Sequence, residues 1–308
     1  MNLKSTFFLF GKGLAMGAAD VVPGVSGGTI AFITGIYDQL LNSLKKCSPG
    51  ALKVLFSEGI AACWRHINGT FLVTLFTGIL TSVFTLARLI TWLLEHYPIQ
   101  VWSFFFGLVL ISAWHVGRQI RWNGVSLVTL VIGAGGAWVI AGGIPAAGQD
   151  ANLVEFFLIG ALAICAMILP GISGSFILLL LGYYAPVMMA VKGLDIPVLA
   201  VLALGCVAGL LTFSHFLSWL LLKARVATFG FLVGLMLGSL NKLWPWKEVI
   251  STRVNSHGEV VPLLQQNVLP AAYEQLNAAP SMLTAAIACM VVAIVLVVGV
   301  DRIAARNK

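Results

Sequence analysis

Two short stretches of this chain, Pro23-Gly24-Val25-Ser26-Gly27-Gly28 and Pro170-Gly171-Ile172-Ser173-Gly174-Ser175, sit in the middle of long apolar runs. Proline removes a backbone donor and glycine weakens a helix, so neither run continues as one helix through its own centre. In hydrocarbon such a break is a demand, because every N–H and C=O it frees needs a partner from the protein itself. The surroundings are of that kind: 59% of the 308 residues are hydrophobic and only 9% are charged. That is the composition of a polytopic membrane protein with little chain left for a separate soluble domain.

Six stretches are long and apolar enough to span, roughly 70–94, 99–117, 124–142, 196–222, 226–243 and 281–300. The two broken segments, about 13–43 and 153–190, instead read as two apolar arms around a Gly/Pro/Ser break, the pattern of a re-entrant helical hairpin. They are copies. Their cores align at an offset of 147, which also pairs Gly35-Ile36-Tyr37 with Gly182-Tyr183-Tyr184. Downstream, "TLARLITWLL" (85–94) aligns with "TFSHFLSWLL" (212–221) at an offset of 127, pairing Gly78 with Gly205 and Gly107 with Gly234. The 20-residue difference falls in the loop around 45–68. The expected fold is all-α, with two repeats, 1–144 and 145–308, each a re-entrant hairpin followed by three transmembrane helices.

A unit that crosses an odd number of times inverts the next one. With the N-terminus inside, thirteen of the eighteen Lys and Arg fall in inner loops and four in outer ones, with Arg88 inside a span. Counting each broken segment as one full crossing gives seven against ten, so the positive-inside rule favours re-entrant hairpins. Hairpins that cross fully twice leave the sides unchanged and stay open as an alternative. Both termini are then cytoplasmic. Residues 1–20 mimic a signal peptide, but Gly11, Lys12 and Gly13 interrupt the apolar stretch, so the segment reads as a retained short helix at the cytoplasmic interface.

The net charge of +7 fits basic inner loops facing anionic lipid headgroups, and nucleic acid is not an expected partner. The five cysteines form no CxxC, so no metal site or disulfide framework is indicated. Histidines 66, 96, 115, 215 and 257 are scattered, and the spans hold no carboxylate pair. The chain is therefore not expected to be an enzyme, to carry a cofactor, or, lacking a P-loop, to use ATP directly.

A helix that restarts after a break presents unpaired N–H groups and the positive end of its dipole. Ser26 and Ser173 are placed as N-caps, and in inverted repeats the two tips meet near the midplane as an anion site. Close packing of the tips through small residues is the competing explanation. Arg88 costs free energy inside a span unless it is paired or snorkels to water. Its repeat mate is His215, a titratable donor or a packing residue. Asp20 precedes the first tip, where the second has Met167; a coupling or gating role, orientation of Arg88 and a helix-end hydrogen bond all suit it. Tyr37 and Asp38 are expected near the inner mouth of the hairpin, in a solvated or interfacial role. Residues 241–280 form the longest outer connection, with a small hairpin around Asn255 to Gly258 that either caps the mouth or is a passive loop.

These doubled hairpins, "MGAADVVPGVSGGTIAFITGIYD" and "MILPGISGSFILLLLGYY", resemble those of the bacterial polyprenyl-phosphate transporter family over nearly the whole chain. The resemblance implies a flippase of the cytoplasmic (inner) membrane that returns undecaprenyl phosphate, the carrier lipid of envelope synthesis, to the inner leaflet. With such a substrate, the N–H and hydroxyl groups of the tips at Ser26, Gly27, Gly28, Thr29, Ser173, Gly174 and Ser175 are the expected phosphate contacts, with Arg88 as charge partner. The polyprenyl-phosphate lipid and the membrane lipids are the expected partners; a coupling ion, H⁺ or Na⁺, is a further candidate that no motif in the chain specifies. A small-anion channel or exchanger is the alternative that suits the same site.

Overall fold

Apolar runs bounded by Gly, Pro and Asn become helices in the computed structural model, which describes residues 3–21, 26–141, 152–254 and 260–306. The first broken segment forms α1 (Leu3–Val21), α2 (Gly27–Ile33) and α3 (Tyr37–Lys46). Next come α4 (Pro49–Glu58), α5 (Ile60–His66), α6 (Gly69–His96), α7 (Pro98–Gly117) and α8 (Gly124–Ala141). The second broken segment forms α9 (Leu153–Ile168), α10 (Gly174–Leu180) and α11 (Tyr184–Lys192), followed by α12 (Ile196–Lys223) and α13 (Arg225–Leu243). A two-stranded antiparallel hairpin, β1 (Lys247–Val254) and β2 (Val260–Asn267), precedes α14 (Pro270–Asn277) and α15 (Leu283–Arg306).

Among the described residues four helices, α7, α8, α12 and α13, are long and apolar enough to cross a membrane. A fifth candidate joins α5 to the first part of α6 across a 68° bend, and Leu283–Gly299 of α15 is a shorter apolar stretch. Leu204, Val207, Phe216, Trp219 and Leu222 of α12 are exposed together, a face that water would not tolerate and lipid would. The chain is a mostly helical membrane protein. The strands are the exception to the all-α expectation; their turn, including Asn255 to Gly258, lies outside the described residues.

Three boundaries differ from the sequence reading. First, α1 begins at Leu3 and runs unbroken to Val21, so residues before 13 belong to the hairpin's first arm and not to a separate interfacial helix. Gly13 and Gly17 do not break α1 because they are contact points: a Cβ at either would fall on the backbone carbonyl of Leu75 or Ile79 of α6. Second, each second arm is two short helices. The chain turns between them through Gly35 (φ +70°) and Gly182 (φ +82°), a conformation that glycine adopts without steric cost. Third, residues 45–68 are largely helical, as α4 and α5, with Phe56 and Ile60 exposed.

The helices pair in a recurring pattern. α6 packs on α1 and α12 on α9; α15 packs on α7 and α8 on α13; α7 and α13 pack on each other at the centre. Val109 and Val116 of α7 and Leu232 and Met236 of α13 are almost wholly buried there. The glycines that permit these crossings stand at matched positions. Gly78 faces the carbonyl of Phe10, and Gly205 faces that of Phe157; Gly107 lies against Met290, and Gly234 against Leu130. Without a water-driven hydrophobic effect between helices, such close backbone approach supplies much of the association energy.

Two indole hydrogen bonds hold the described part of the 241–280 connection together. The Trp246 indole N–H donates to the Ser281 carbonyl (2.8 Å), and the Trp244 indole N–H to the Val268 carbonyl (2.8 Å).

Because a backbone carbonyl occupies the space a side chain would need, Gly78→Val and Gly205→Val should each lower stability by about 1–3 kcal/mol. Gly135→Val on α8, where a Cβ meets open space, should leave it within about 0.5 kcal/mol. Thermal unfolding of the purified variants in detergent reads both; equal behaviour of the three would contradict these crossings.

Candidate functional site

α9 ends at Ile168, and its last carbonyls need donors. They find them on the first hairpin. The Ser26 hydroxyl reaches the carbonyls of Met167 (3.0 Å) and Leu169 (3.2 Å), sharing one proton between them. The Tyr37 hydroxyl donates to the carbonyl of Ile168 (3.0 Å). In return, the Gly171 N–H donates to the Thr29 hydroxyl (2.9 Å). The two breaks therefore interlock. Ser26 and Thr29 are essentially inaccessible, at 1% and 0% exposed. Gly171 must be glycine twice over: its φ is +89°, and a Cβ would press on Leu235, Met236 and Ser239 of α13.

Ser26 also caps α2, as the sequence reading expects, accepting from the Gly28 N–H (3.1 Å) while its carbonyl accepts from the Thr29 N–H (2.9 Å). The remaining first-turn donor, the Gly27 N–H, is taken by the Asp20 carboxylate at 2.7 Å. At the other end of α2 the Lys12 ammonium donates to the carbonyl of Thr34, the C-cap residue, at 2.7 Å. Asp20 and Lys12 lie eight residues apart on α1, about 12 Å of rise, against about 10 Å for the seven residues of α2. An acid thus meets the positive end of the short helix and a base its negative end, and the hairpin arms are clamped by charge complementarity with the helix dipole.

The second tip is built differently. Met167 stands where Asp20 would, and the Ser173 hydroxyl pairs with the Ser175 hydroxyl at 2.8 Å. Ser173 is buried and Ser175 exposed. Gly174 packs closely on Ala163 and Met167 of α9. Ser173 borders a narrow crevice with Gly171, Ile172, Ser239 and Lys242. Of the expected site residues, the structure thus brings Ser26, Gly28 and Thr29 against the 167–171 end of the second break, and Gly27 against Asp20. Arg88 and His215 lie on α6 and α12, the helices that back the first arm of each hairpin. The His215 ring nitrogen lies 2.8 Å from the Leu211 carbonyl of its own helix. The Arg88 side chain and residues Pro23, Gly24 and Val25 lie outside the described residues.

Sequence reasoning missed Lys12 and Tyr37. Lys12 reads as an interruption of a signal-like stretch and as one of the thirteen inner charges; its spacing from Asp20 is the usable signal. Tyr37 reads as interfacial beside Asp38, yet it is 3% exposed, its ring packing on Phe32. The repeated Gly-x-Tyr at 35–37 and 182–184 carried that information.

Removing the Asp20 carboxylate leaves a buried amide without its charged acceptor. Asp20→Ala should therefore cost about 1.5–3 kcal/mol of stability, Asp20→Asn less because an acceptor oxygen remains, and Tyr37→Phe about 1 kcal/mol. Differential scanning of the purified variants checks the order; an unchanged Asp20→Ala would mean that α2 does not depend on this contact.

The sequence profile of the VCA0040-like family, described as undecaprenyl phosphate translocase-like, matches residues 16–261. A polyprenyl-phosphate transporter of Vibrio cholerae is 54% identical over 99% of this chain and 98% of its own length. A polyprenyl-phosphate transporter of Staphylococcus aureus is 32% identical over 76% of this chain and 84% of its own length. No solved structure matches the chain. A match running through both breaks, with a relative aligned end to end, places the chain in the undecaprenyl phosphate translocase-like family.

Proposed function

We propose that this protein is a flippase that moves undecaprenyl phosphate between the leaflets of the bacterial cytoplasmic membrane, recycling the carrier lipid of envelope synthesis. The observation that carries the reading is the end-to-end likeness to a relative named for polyprenyl-phosphate transport. Physical chemistry agrees with it. A phosphate monoester head carries nearly two negative charges and cannot cross hydrocarbon bare, whereas its isoprenoid tail stays in lipid throughout. The protein need only shield the head, without catalysis.

In this reading the halves 1–144 and 145–308 are inverted repeats, each a re-entrant hairpin with three spans, and both termini are cytoplasmic. Support comes from the helix pairs, which recur between the halves with glycine crossings at matched positions, and from the charge asymmetry of the loops. Phosphate is held by Ser26, Gly27, Gly28 and Thr29 of one tip and Ser173, Gly174 and Ser175 of the other, with Arg88 as charge partner. Asp20 already places an anionic group on the Gly27 N–H, which favours the idea that an anion suits this point. Phosphate must displace that carboxylate and part the interlocked breaks, so Asp20 is the gating residue of this scheme. A proton or Na⁺ that neutralises Asp20 releases Gly27, coupling the ion to lipid entry. His215 is a second candidate for that role.

Reconstituted in liposomes, the protein should speed transbilayer movement of polyprenyl phosphate. Arg88→Ala should weaken lipid-phosphate binding about a hundredfold, and Arg88→Lys should restore little of it if the guanidinium binds phosphate through two donors. Chloride or inorganic phosphate flux without lipid movement would instead make the protein a small-anion channel or exchanger.

A further inference from the structure

At the β-hairpin end of the bundle a cavity of about 470 Å³ opens between the C-terminal end of α13 and the base of the strands. Among the described residues its polar lining is Asn241, Lys242, Lys247, Gln265, Gln266 and Asn267. Two lysines and four amide-bearing residues border one concave space, a polar and basic lining of the kind that recognises an oxyanion. The lysines are held in place. The Lys247 ammonium donates to the backbone carbonyl of Lys242 (2.6 Å) and sits 4.2 Å from the centre of the Trp102 ring. The Asn267 amide donates to the carbonyl and the side-chain oxygen of Asn241 (2.8 and 2.7 Å), tying β2 to α13 across the cavity.

Two further spaces adjoin this one. An apolar groove of about 420 Å³ shares Asn241 and Asn267 with it and is walled by Phe106, Trp138, Leu237, Leu240, Trp244 and Leu269. On the other side, the crevice at the second tip shares Ala141 and Lys242 with it and reaches Gly171, Ile172 and Ser173. A polar, basic chamber thus lies beside a hydrophobic groove and, on its other side, next to the second tip. An inorganic anion would use the chamber alone. An amphiphile with an anionic head and an apolar tail would use the chamber and the groove together.

We infer that this chamber and groove are a loading site for the phosphate head and first isoprene units of a polyprenyl phosphate, with Lys242 and Lys247 binding the head and Lys242 facing both the chamber and the second tip. The inference rests on the transport reading above and adds a site that the tips and Arg88 do not include. Burial, with the neighbouring Lys242 ammonium, pulls Lys247 down to about 7. Like charges are crowded there, and a bound dianion would relieve them. The structure also gives the extramembrane hairpin a purpose, since β1 and β2 supply Lys247 and the amide wall.

The test is binding of polyprenyl phosphate and of inorganic phosphate, separately, to the purified full-length protein. Lys242→Gln and Lys247→Gln should each weaken lipid-phosphate binding about tenfold, and Lys242→Arg and Lys247→Arg should keep most of it. Leu240→Gln in the groove should weaken the lipid and leave inorganic phosphate unchanged. Because Lys247 also holds the end of α13, a photoreactive polyprenyl phosphate applied to the unaltered protein gives a second readout. Cross-links should map to 241–250 and 265–269. Equal affinity for lipid and inorganic phosphate would overturn the groove's part. Unchanged lipid binding by both glutamine variants, or cross-links confined to the tips, would overturn the loading site while leaving lipid transport standing. Failure of the unaltered protein to bind or move polyprenyl phosphate would overturn both.

Discussion

The end of α9 is the point on which the other contacts turn. A helix that stops among apolar neighbours leaves carbonyls that no water satisfies, and each costs roughly 1–3 kcal/mol if it stays so. Here the donors come from the other half of the chain, as the hydroxyls of Ser26 and Tyr37. One contact set therefore does two things. It satisfies a helix end set among apolar side chains, and it ties residues 141 positions apart in sequence into one structure. Breaks that could each have been a local defect become a shared joint.

The joint is asymmetric, and the asymmetry suits movement. On the first hairpin, α2 is closed at both ends by charges from α1, Asp20 on its amides and Lys12 on its carbonyl end. The second hairpin has Met167 and Ile159 at the equivalent positions, so α10 has no such clamp from α9. In the proposed scheme an anion arriving at the first tip would compete with the Asp20 carboxylate, whereas one arriving at the second would meet no such group from α9. Inverted halves with unequal tips would be biased toward one state when empty, and a charged lipid head or a coupling ion could reverse that bias through its differential affinity for the two.

Much of this was legible in the amino-acid order. The six expected spans fall on helices to within a few residues at most ends, because length and apolarity in lipid leave few alternatives. The PG-x-SG repeat located both breaks, and Ser26 read correctly as a cap because that role is local. The structure added what depends on distant partners. Gly13 reads as an interruption of the apolar stretch until α6 lies against it and Gly17, and then both are the contact. Tyr37 looks interfacial until the end of α9 arrives to take its proton. Lys242 and Lys247 counted only as outer-loop charges, since no spacing rule says that a strand will fold back beside the end of α13. Local chemistry could be read directly; the identity of each partner across the bundle could not.

The claim on which the rest depends is that the two breaks interlock at rest and part during transport. Placing cysteines at positions 26 and 169 of a cysteine-free protein, where the Ser26 hydroxyl lies 3.2 Å from the Leu169 carbonyl, tests it directly. A short cleavable thiol cross-linker should form readily between them and arrest polyprenyl-phosphate movement in proteoliposomes. Cleavage should restore the rate of the uncross-linked double-cysteine protein. A cross-linked protein that moves the lipid at that full rate would contradict the claim, since the tips would then carry the helix ends without ever having to open.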